Sequence, residues 1–246
     1  MIFIMKNIYG DFSEYYDLLG WNQFARNSAV RLQSFFKLRG DKPRAILDLA
    51  CGSGELEWAL RASDIKFTGV DISPGMIKVA RKKFPGGDFI VGDAATIRMK
   101  KKFDMALLLF DSANHMSSLS QLLKVFRNAR RHLAPNGFFI FDFLTETGLS
   151  EWEQINIKRT KSYTLFYYGH YYPEKHLADV FIEAFIKKPG RNNYHRIFQK
   201  IVEKTYPASD IIDGLVNSGF TRITASPFDL DEKIEKASRI WFVCRS

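Results

Sequence analysis

Residues 46–55 read ILDLACGSGE, a buried strand that runs into a helix through a loop whose side chains are too small to pack. Ile46, Leu47 and Leu49 supply the strand. Gly52 and Gly54 let backbone approach a ligand closely, and a helix beginning near Glu55 presents unpaired N–H groups in its first turn. Such a turn alone is weak evidence, because glycine-rich strings also serve as ordinary strand-to-helix connections. The next strand strengthens it. FTGV ends in Asp71, about 20 residues on, where a dinucleotide-type fold places the carboxylate that accepts hydrogen bonds from ribose hydroxyls.

Outward from this stretch, strands are predicted near 45–50, 66–71, 88–92, 104–110 and 137–143, and helices near 55–62, 74–83 and 118–132. The alternation implies a parallel sheet wound on both sides. Serines at 117, 118 and 120 start the last helix, and Pro135 with Gly137 follow its end. VNSGF (216–220) leaves a further helix through Gly219 into a strand near 221–227, and RIWFV (239–243) returns as a last, antiparallel strand. Residues 155 to about 205 have no helix period. SYTLFYYGHYY, KHLADVFIEAFIKK and NNYHRIFQKIVEKTY read as three antiparallel strands, with turns at Pro173 to Lys175 and Pro189 to Asn193. With no low-complexity linker around it, this insert is expected to pack on the main sheet as a lid. The fold class expected is therefore α/β, a doubly wound, mostly parallel seven-stranded sheet with an antiparallel last strand and a small inserted antiparallel β-sheet. Residues 1–150 and 206–246 form the main domain, and 151–205 form the lid.

The motifs resemble those of the Rossmann-like (class I) S-adenosylmethionine-dependent methyltransferases, over roughly residues 9–150 and in outline over the last forty. FTGVDISPGMI (67–77) resembles the second motif, which implies Asp71 on the ribose and Ile72 and Met76 near the adenine. DFIVGDAATI (88–97) resembles the third, implying Asp93 at the adenine amino group and Ala94 offering its backbone N–H. FDMALLLFDSANHM (103–116) resembles the fourth strand and the loop after it, and HLAPNGFFIFDF (132–143) the turn into the fifth strand. By the same resemblance Asp48, Ala50, Gly52, Gly54 and Phe110 fall on the cofactor, S-adenosylmethionine, whose product is S-adenosylhomocysteine. Ala50 stands where the family's pattern has its first glycine, and the turn is expected to work only if this residue keeps a negative φ. A nicotinamide dehydrogenase is disfavoured, since the GxGxxG spacing is absent and the Asp93 motif has no role in that fingerprint.

YGDFSEYYDLLGW (9–21) resembles the family's opening helix, whose tyrosine, near Tyr15 or Tyr16, closes over the methionine part of the cofactor. Tyr16 is assigned to both cofactor and catalysis; the alternative is that this aromatic stripe only packs a helix. Transfer from an activated sulfonium mainly needs an acceptor lone pair held in line and stripped of water, and an amine must first lose its proton. Asp111, Ser112, Asn114 and His115 follow the fourth strand, where open α/β sheets bind ligands. Substrate candidates are Asp111, Asn114 and His115, with Tyr168 and His170 from the insert. His115 is the candidate base, although a lone histidine is more often structural. His176 and His195 in the insert face substrate or solvent, and His132 reads as a favourable charge at a helix C-terminus.

The chain has 246 residues, 46% hydrophobic and 26% charged, enough for a substantial core. No apolar run approaches the ~20 residues of a bilayer span, and MIFIM lacks a basic leader, with Met5 an alternative start, so a cytoplasmic location without membrane contact is expected. Cys51 and Cys244 make no disulfide framework, and neither is placed as a nucleophile. No pair of histidines has zinc spacing, and no metal is expected. The net charge of +9 raises nucleic acid as a partner, but no RNA-binding module is recognisable and the basic residues fall on helix faces and loop tips. The expected partner is a small-molecule methyl acceptor, more an amine nitrogen than an oxygen. The alternatives are an RNA or protein methyltransferase of the same fold, or a non-catalytic cofactor-binding module. An exposed edge of the insert could pair two copies into a homodimer.

Overall fold

The computed structural model describes residues 9–188, 190 and 193–246. MIFIM and most of the turn expected at Pro189 to Asn193 lie outside the described residues. Helices α1 (Phe12–Leu19) and α2 (Gln23–Arg39) lead into β1 (Ala45–Leu49), α3 (Glu55–Ala59), β2 (Lys66–Asp71), α4 (Pro74–Lys83), β3 (Asp88–Val91), β4 (Phe103–Leu108), α5 (Leu119–His132) and β5 (Leu133–Leu144). The short α6 (Glu146–Ser150) then opens β6 (Asn156–Arg159), β7 (Tyr163–Tyr172), β8 (Leu177–Lys187) and β9 (Tyr194–Lys204), after which α7 (Ala208–Asn217), β10 (Thr221–Pro227) and β11 (Arg239–Arg245) complete the chain.

The main sheet has seven strands in the order β10-β11-β5-β4-β1-β2-β3, and β11 runs antiparallel to both of its neighbours. The order reverses at β1, where β4 pairs on one side and β2 on the other. A crevice at the carboxyl ends of these strands is the topological switch point of such a sheet. The strands are near-continuous apolar runs because both faces are covered. One core layer joins Leu47, Leu49, Leu108, Phe126, Phe139 and Phe141, and the other joins Ile46, Leu56, Phe67, Leu107 and Ile140 to Leu32 and Phe36 of α2.

The second sheet has four antiparallel strands, β6-β7-β8-β9, where the sequence reading expected three. The added strand, NIKR, is short, polar and on the edge, so it carries no hydrophobic alternation to reveal it. Its inner face buries Tyr163, Leu165, Val180, Ile182, Ile197 and Ile201 against Phe12 and Leu19 of α1. The lid and the N-terminal helix therefore share one apolar cluster over the crevice.

His132 corrects a charge-based expectation. It is 1% exposed, its Nδ1 faces the Asn128 carbonyl at 2.8 Å and its Nε2 accepts the Met99 N–H at 3.1 Å. Burial pushes its pKa down, so it is a neutral tie between α5 and the loop after β3 rather than a helix-end cation.

Candidate cofactor and acceptor site

The loop after β1 turns three times through left-handed backbone, at Ala50 (φ 60°), Gly52 (φ 55°) and Gly54 (φ 70°). The expectation that Ala50 keeps negative φ is therefore wrong. An alanine there costs about 1–2 kcal/mol relative to the glycine of the family pattern. Gly54 is also placed differently from expectation: it stays off the cavity wall, and a Cβ on it would lie 2.9 Å from the Ala80 Cβ of α4. Its role is close helix packing, which brings α4 against the loop.

Asp71, at the tip of β2, is 8% exposed. Its Oδ2 accepts the Gly52 N–H at 2.9 Å and its Oδ1 accepts the Ser73 N–H at 2.8 Å. One carboxylate thus fixes the glycine loop and the start of α4 together. Burial pushes its pKa up, against these two backbone donors. Asp93, at the tip of β3, accepts the Ala95 N–H at 2.7 Å.

These residues line a cavity of about 290 Å³. Asp48, Ala50, Gly52, Asp71, Ile72, Met76, Asp93 and Ala94 form one end, and Tyr16, Phe110, Asp111 and His115 continue the wall toward the lid. Val180, Ile182 and Ile201 of the lid roof the far end, together with Trp152 and Glu203. Among the described residues, six carboxylates (Asp48, Glu55, Asp71, Asp93, Asp111, Glu203) and one guanidinium, Arg239, face this space. The positive net charge of the chain lies elsewhere.

Tyr16, and not Tyr15, faces the cavity: it meets Phe110 edge-on at 6.4 Å, whereas Tyr15 packs on His195 at 5.5 Å. Its helix is held by ions. Lys83 Nζ lies 2.6 Å from Asp17 and 2.7 Å from Glu55, Ser53 Oγ donates to Asp17 at 2.8 Å, and Arg26 Nε donates to Glu55 at 2.7 Å. This network binds α1, α2, α4 and the glycine loop into one frame, so the tyrosine and the loop are positioned together.

Under the loop, Asp48 and Glu57 form a buried carboxyl pair, with Glu57 fully buried and, among the described residues, no N–H or O–H of a third residue hydrogen-bonded to its oxygens. A shared proton is what satisfies them. Burial, above all, pushes Glu57 up to about 7 from its ordinary 4.5. A carboxyl raised in this way binds more protons folded than unfolded, so its contribution to stability falls as pH rises between those two values. Glu57→Gln, which cannot ionise, removes one of the two titrating members of this pair and is expected to shrink the fall of urea-denaturation stability between pH 5 and pH 8, with Asp48, also held well above its ordinary pKa by burial, carrying what remains; pH curves parallel to those of the wild type would remove the assignment.

After β4, Phe110 (φ 58°) and Asp111 (φ 47°) both adopt the left-handed conformation. Asp142 of β5 holds them there, accepting the Phe110 N–H at 2.5 Å and the Asp111 N–H at 2.9 Å. Arg239 of β11 pairs with Asp142 and lies 3.7 Å from Asp111. Although burial opposes its charge, Asp142 and Asp111 together hold Arg239 above its ordinary pKa. The same loop brings His115 to Tyr9, at 3.5 Å from Nε2 to the hydroxyl, and burial pushes the His115 pKa down, leaving a neutral imidazole. Asp111, His115 and Glu203 each present a ligand-type atom within 4.8 Å of the others, a donor set of the kind that holds a cation.

Three substrate candidates are placed outside this chamber. Asn114 is fully buried and spends its amide on Leu144 and Lys204 backbone, so it clamps β5 to β9. Tyr168 stacks on Phe181 at 5.3 Å, and exposed His170 lies 3.5 Å from Glu153. Side chains alternate along β7. Tyr163, Leu165 and Tyr167 take the inner face, which sends 168 and 170 outward. The sequence reading missed three chamber residues, Trp152, Glu203 and Arg239, and also Asp142, which holds the loop of the chamber wall without lining it. Glu203 was the accessible one, being two residues beyond buried Ile201 on the inner face of β9.

Residues 46–137 match the family model of a methyltransferase domain. Over 189 residues the chain is 23% identical to the dTDP-3-amino-3,4,6-trideoxy-alpha-D-glucopyranose N,N-dimethyltransferase of Streptomyces venezuelae, covering 75% of this chain and 80% of that protein. In structure it is similar to an S-adenosylmethionine-dependent methyltransferase from Clostridium acetobutylicum, with a TM-score of 0.81, 22% identity and coverage of 96% of this chain and 98% of that one. It is also similar to the S-adenosylmethionine-bound amino pentose methyltransferase CalS10 of Micromonospora echinaspora, with a TM-score of 0.73, 18% identity and 96% coverage of each chain. These likenesses share the fold described above. Among the described residues no helix is long and apolar enough to cross a membrane.

Proposed function

From the match of residues 46–137 to a methyltransferase domain we propose that the chain transfers the methyl group of S-adenosylmethionine to the nitrogen of a small-molecule amine. The observation that carries the acceptor half is the far end of the cavity: an apolar roof of Val180, Ile182 and Ile201 over the carboxylates of Asp111 and Glu203. An acidic chamber attracts a cationic amine and repels the phosphates of RNA. The amino sugar dimethyltransferase and the amino pentose methyltransferase found among its relatives act on acceptors of this kind.

In this reading Asp71 accepts the ribose hydroxyls, Ile72 and Met76 flank the adenine, Asp93 meets its amino group, and Tyr16 closes over the methionine moiety. Binding supplies an activated methyl group. The protein's own work is then to exclude water, orient the nitrogen and remove its proton. The lid and α1 exclude water with their shared apolar cluster, and the Asp142 pin fixes the loop that carries Asp111 and His115. Each buried lid side chain such as Val180 or Ile182 contributes about 1.5–3 kcal/mol to keeping the roof in place.

Calorimetric titration tests the cofactor half. S-adenosylhomocysteine and S-adenosylmethionine are expected to bind one per chain and NAD not at all. Folded protein that gives heat with neither adenosyl compound would overturn the proposal.

A further inference from the structure

We infer that the acceptor is an amine with an apolar body, an alkyl- or arylalkylamine, and that the roof of the lid selects it over polyhydroxylated amines such as amino sugars; this rests on the amine reading above. The cross-strand register of the lid carries the inference. Val180 of β8 stands directly opposite Ile201 of β9, and Ala178 stands opposite Glu203 two residues along. Ile182 lies two residues the other way on β8, opposite Tyr167 of β7. Side chains two residues apart on a strand share a face and are about 7 Å apart along it. The inner face of the lid therefore passes from a carboxyl at Glu203 to aliphatic side chains about 7 Å and then about 13 Å away.

The polar groups of the acceptor end gather on the Glu203 side. Asp111, His115 and Glu203 present atoms within 4.8 Å of one another, and the Tyr9 hydroxyl lies 3.5 Å from His115 Nε2. Away from them the wall turns apolar. Gly169 of β7 stands opposite Val180, and a Cβ on it would lie 2.8 Å from the Trp152 Cβ, so the bare glycine seats the tryptophan and carries the roof across a third strand. Val180, Ile182, Ile201 and Trp152 all line the cavity, and the rings of Phe12 and Trp21, 5.3 Å apart, line it from the side of α1.

This separation of polar and apolar walls decides between acceptor classes. Val180, Ile182 and Ile201 offer no hydrogen bond, so a sugar hydroxyl carried beneath them loses its water and gains no partner there. For one hydroxyl in an apolar pocket the resulting discrimination is about 100-fold. A methylene in the same place gains about fourfold instead. An ammonium on the Asp111 and Glu203 side, with a chain or ring beginning a few carbons on, satisfies both walls. In the transfer the ammonium sheds one proton to solvent and the nitrogen lone pair forms the bond to the methyl carbon. The carbon–sulfur bond breaks at the same time and leaves its electrons on a neutral thioether.

The test uses the full chain, S-adenosylmethionine with a deuterium-labelled methyl group, and a panel of linear alkylamines from propyl to octyl, phenylalkylamines, and amino sugars both free and nucleoside diphosphate-linked. The alkylamines share one basicity, so their ionisation does not vary along the series. Their kcat/KM is expected to rise about fourfold per methylene until the roof is covered, and at its plateau to exceed that of the amino sugars by about 100-fold or more. Val180→Thr keeps the side-chain volume and adds a hydroxyl. It should flatten the rise over the methylenes that reach it while the dissociation constant of S-adenosylhomocysteine stays that of the wild type. A series without a rise, amino sugars methylated as well as the alkylamines, or a wild-type rise in Val180→Thr would each remove the inference and leave the amine reading standing. If the wild type methylates no amine of the panel, both fall.

Discussion

Asp142→Ala is expected to destabilise the chain by about 3–5 kcal/mol, the cost of stranding a buried charge whose partner has been removed. Asp142 is fully buried and serves three donors at once, the Phe110 and Asp111 N–H groups and the Arg239 guanidinium. Without it Arg239, itself shielded from solvent, keeps one ion-pair partner among the described residues, Asp111 at 3.7 Å. The two left-handed residues also lose the donors' anchor, and each is costly on its own by about 1–2 kcal/mol. For a chain of this size the melting temperature should fall by roughly 10 °C. Asp142→Asn, which keeps an acceptor oxygen, should lose less. A melting temperature within about 2 °C of wild type for the alanine variant would show that the pin is dispensable.

Asp71→Ala is expected to weaken S-adenosylhomocysteine binding by roughly 10- to 100-fold, the equivalent of losing charge-assisted hydrogen bonds worth about 1.5–3 kcal/mol. Two effects add. The proposed ribose contact disappears, and the Gly52 and Ser73 N–H groups lose the carboxylate that sets the loop. The core layers on either side of the sheet do not involve Asp71, so the fold should persist with a modest loss of stability. Calorimetry of the folded variant checks this, and an affinity equal to wild type would refute the role given to Asp71.

The main sheet was readable because its information is local. ILDLACGSGE, the Asp71 strand end and the alternation of apolar runs with helical segments each lie within a dozen residues, and a parallel sheet buries both faces of its strands. The count of seven strands and the antiparallel last strand followed from that pattern and from RIWFV after Gly219, whereas the strand order was seen only in the structure. The acceptor chamber was less readable, since Trp152, Glu203, Arg239 and the loop-holding Asp142 come from four separate segments and their roles are set only by tertiary packing. The lid shows the reason for the errors most plainly. In β7 both faces carry aromatic residues, Tyr163, Tyr167 and Tyr171 on one and Phe166, Tyr168 and Tyr172 on the other, so Tyr168 and His170 looked as good as their neighbours. Only the packing of Tyr163, Leu165 and Tyr167 against α1 decides the parity. In β9 the parity was within reach, because Ile197 and Ile201 mark the buried face and Glu203 falls on it. Ala50 failed for a different cause: a propensity rule was applied to a position where the surrounding loop imposes the backbone.

The central claim is that the acidic chamber beneath the lid receives an amine for methylation. Incubating the protein with deuterated-methyl S-adenosylmethionine in the presence of total RNA, mixed protein and the amine panel together, then tracing the label by mass spectrometry, tests it most directly. The account predicts label on the nitrogen of a small amine and none on RNA or protein. Label confined to RNA or to protein would contradict it.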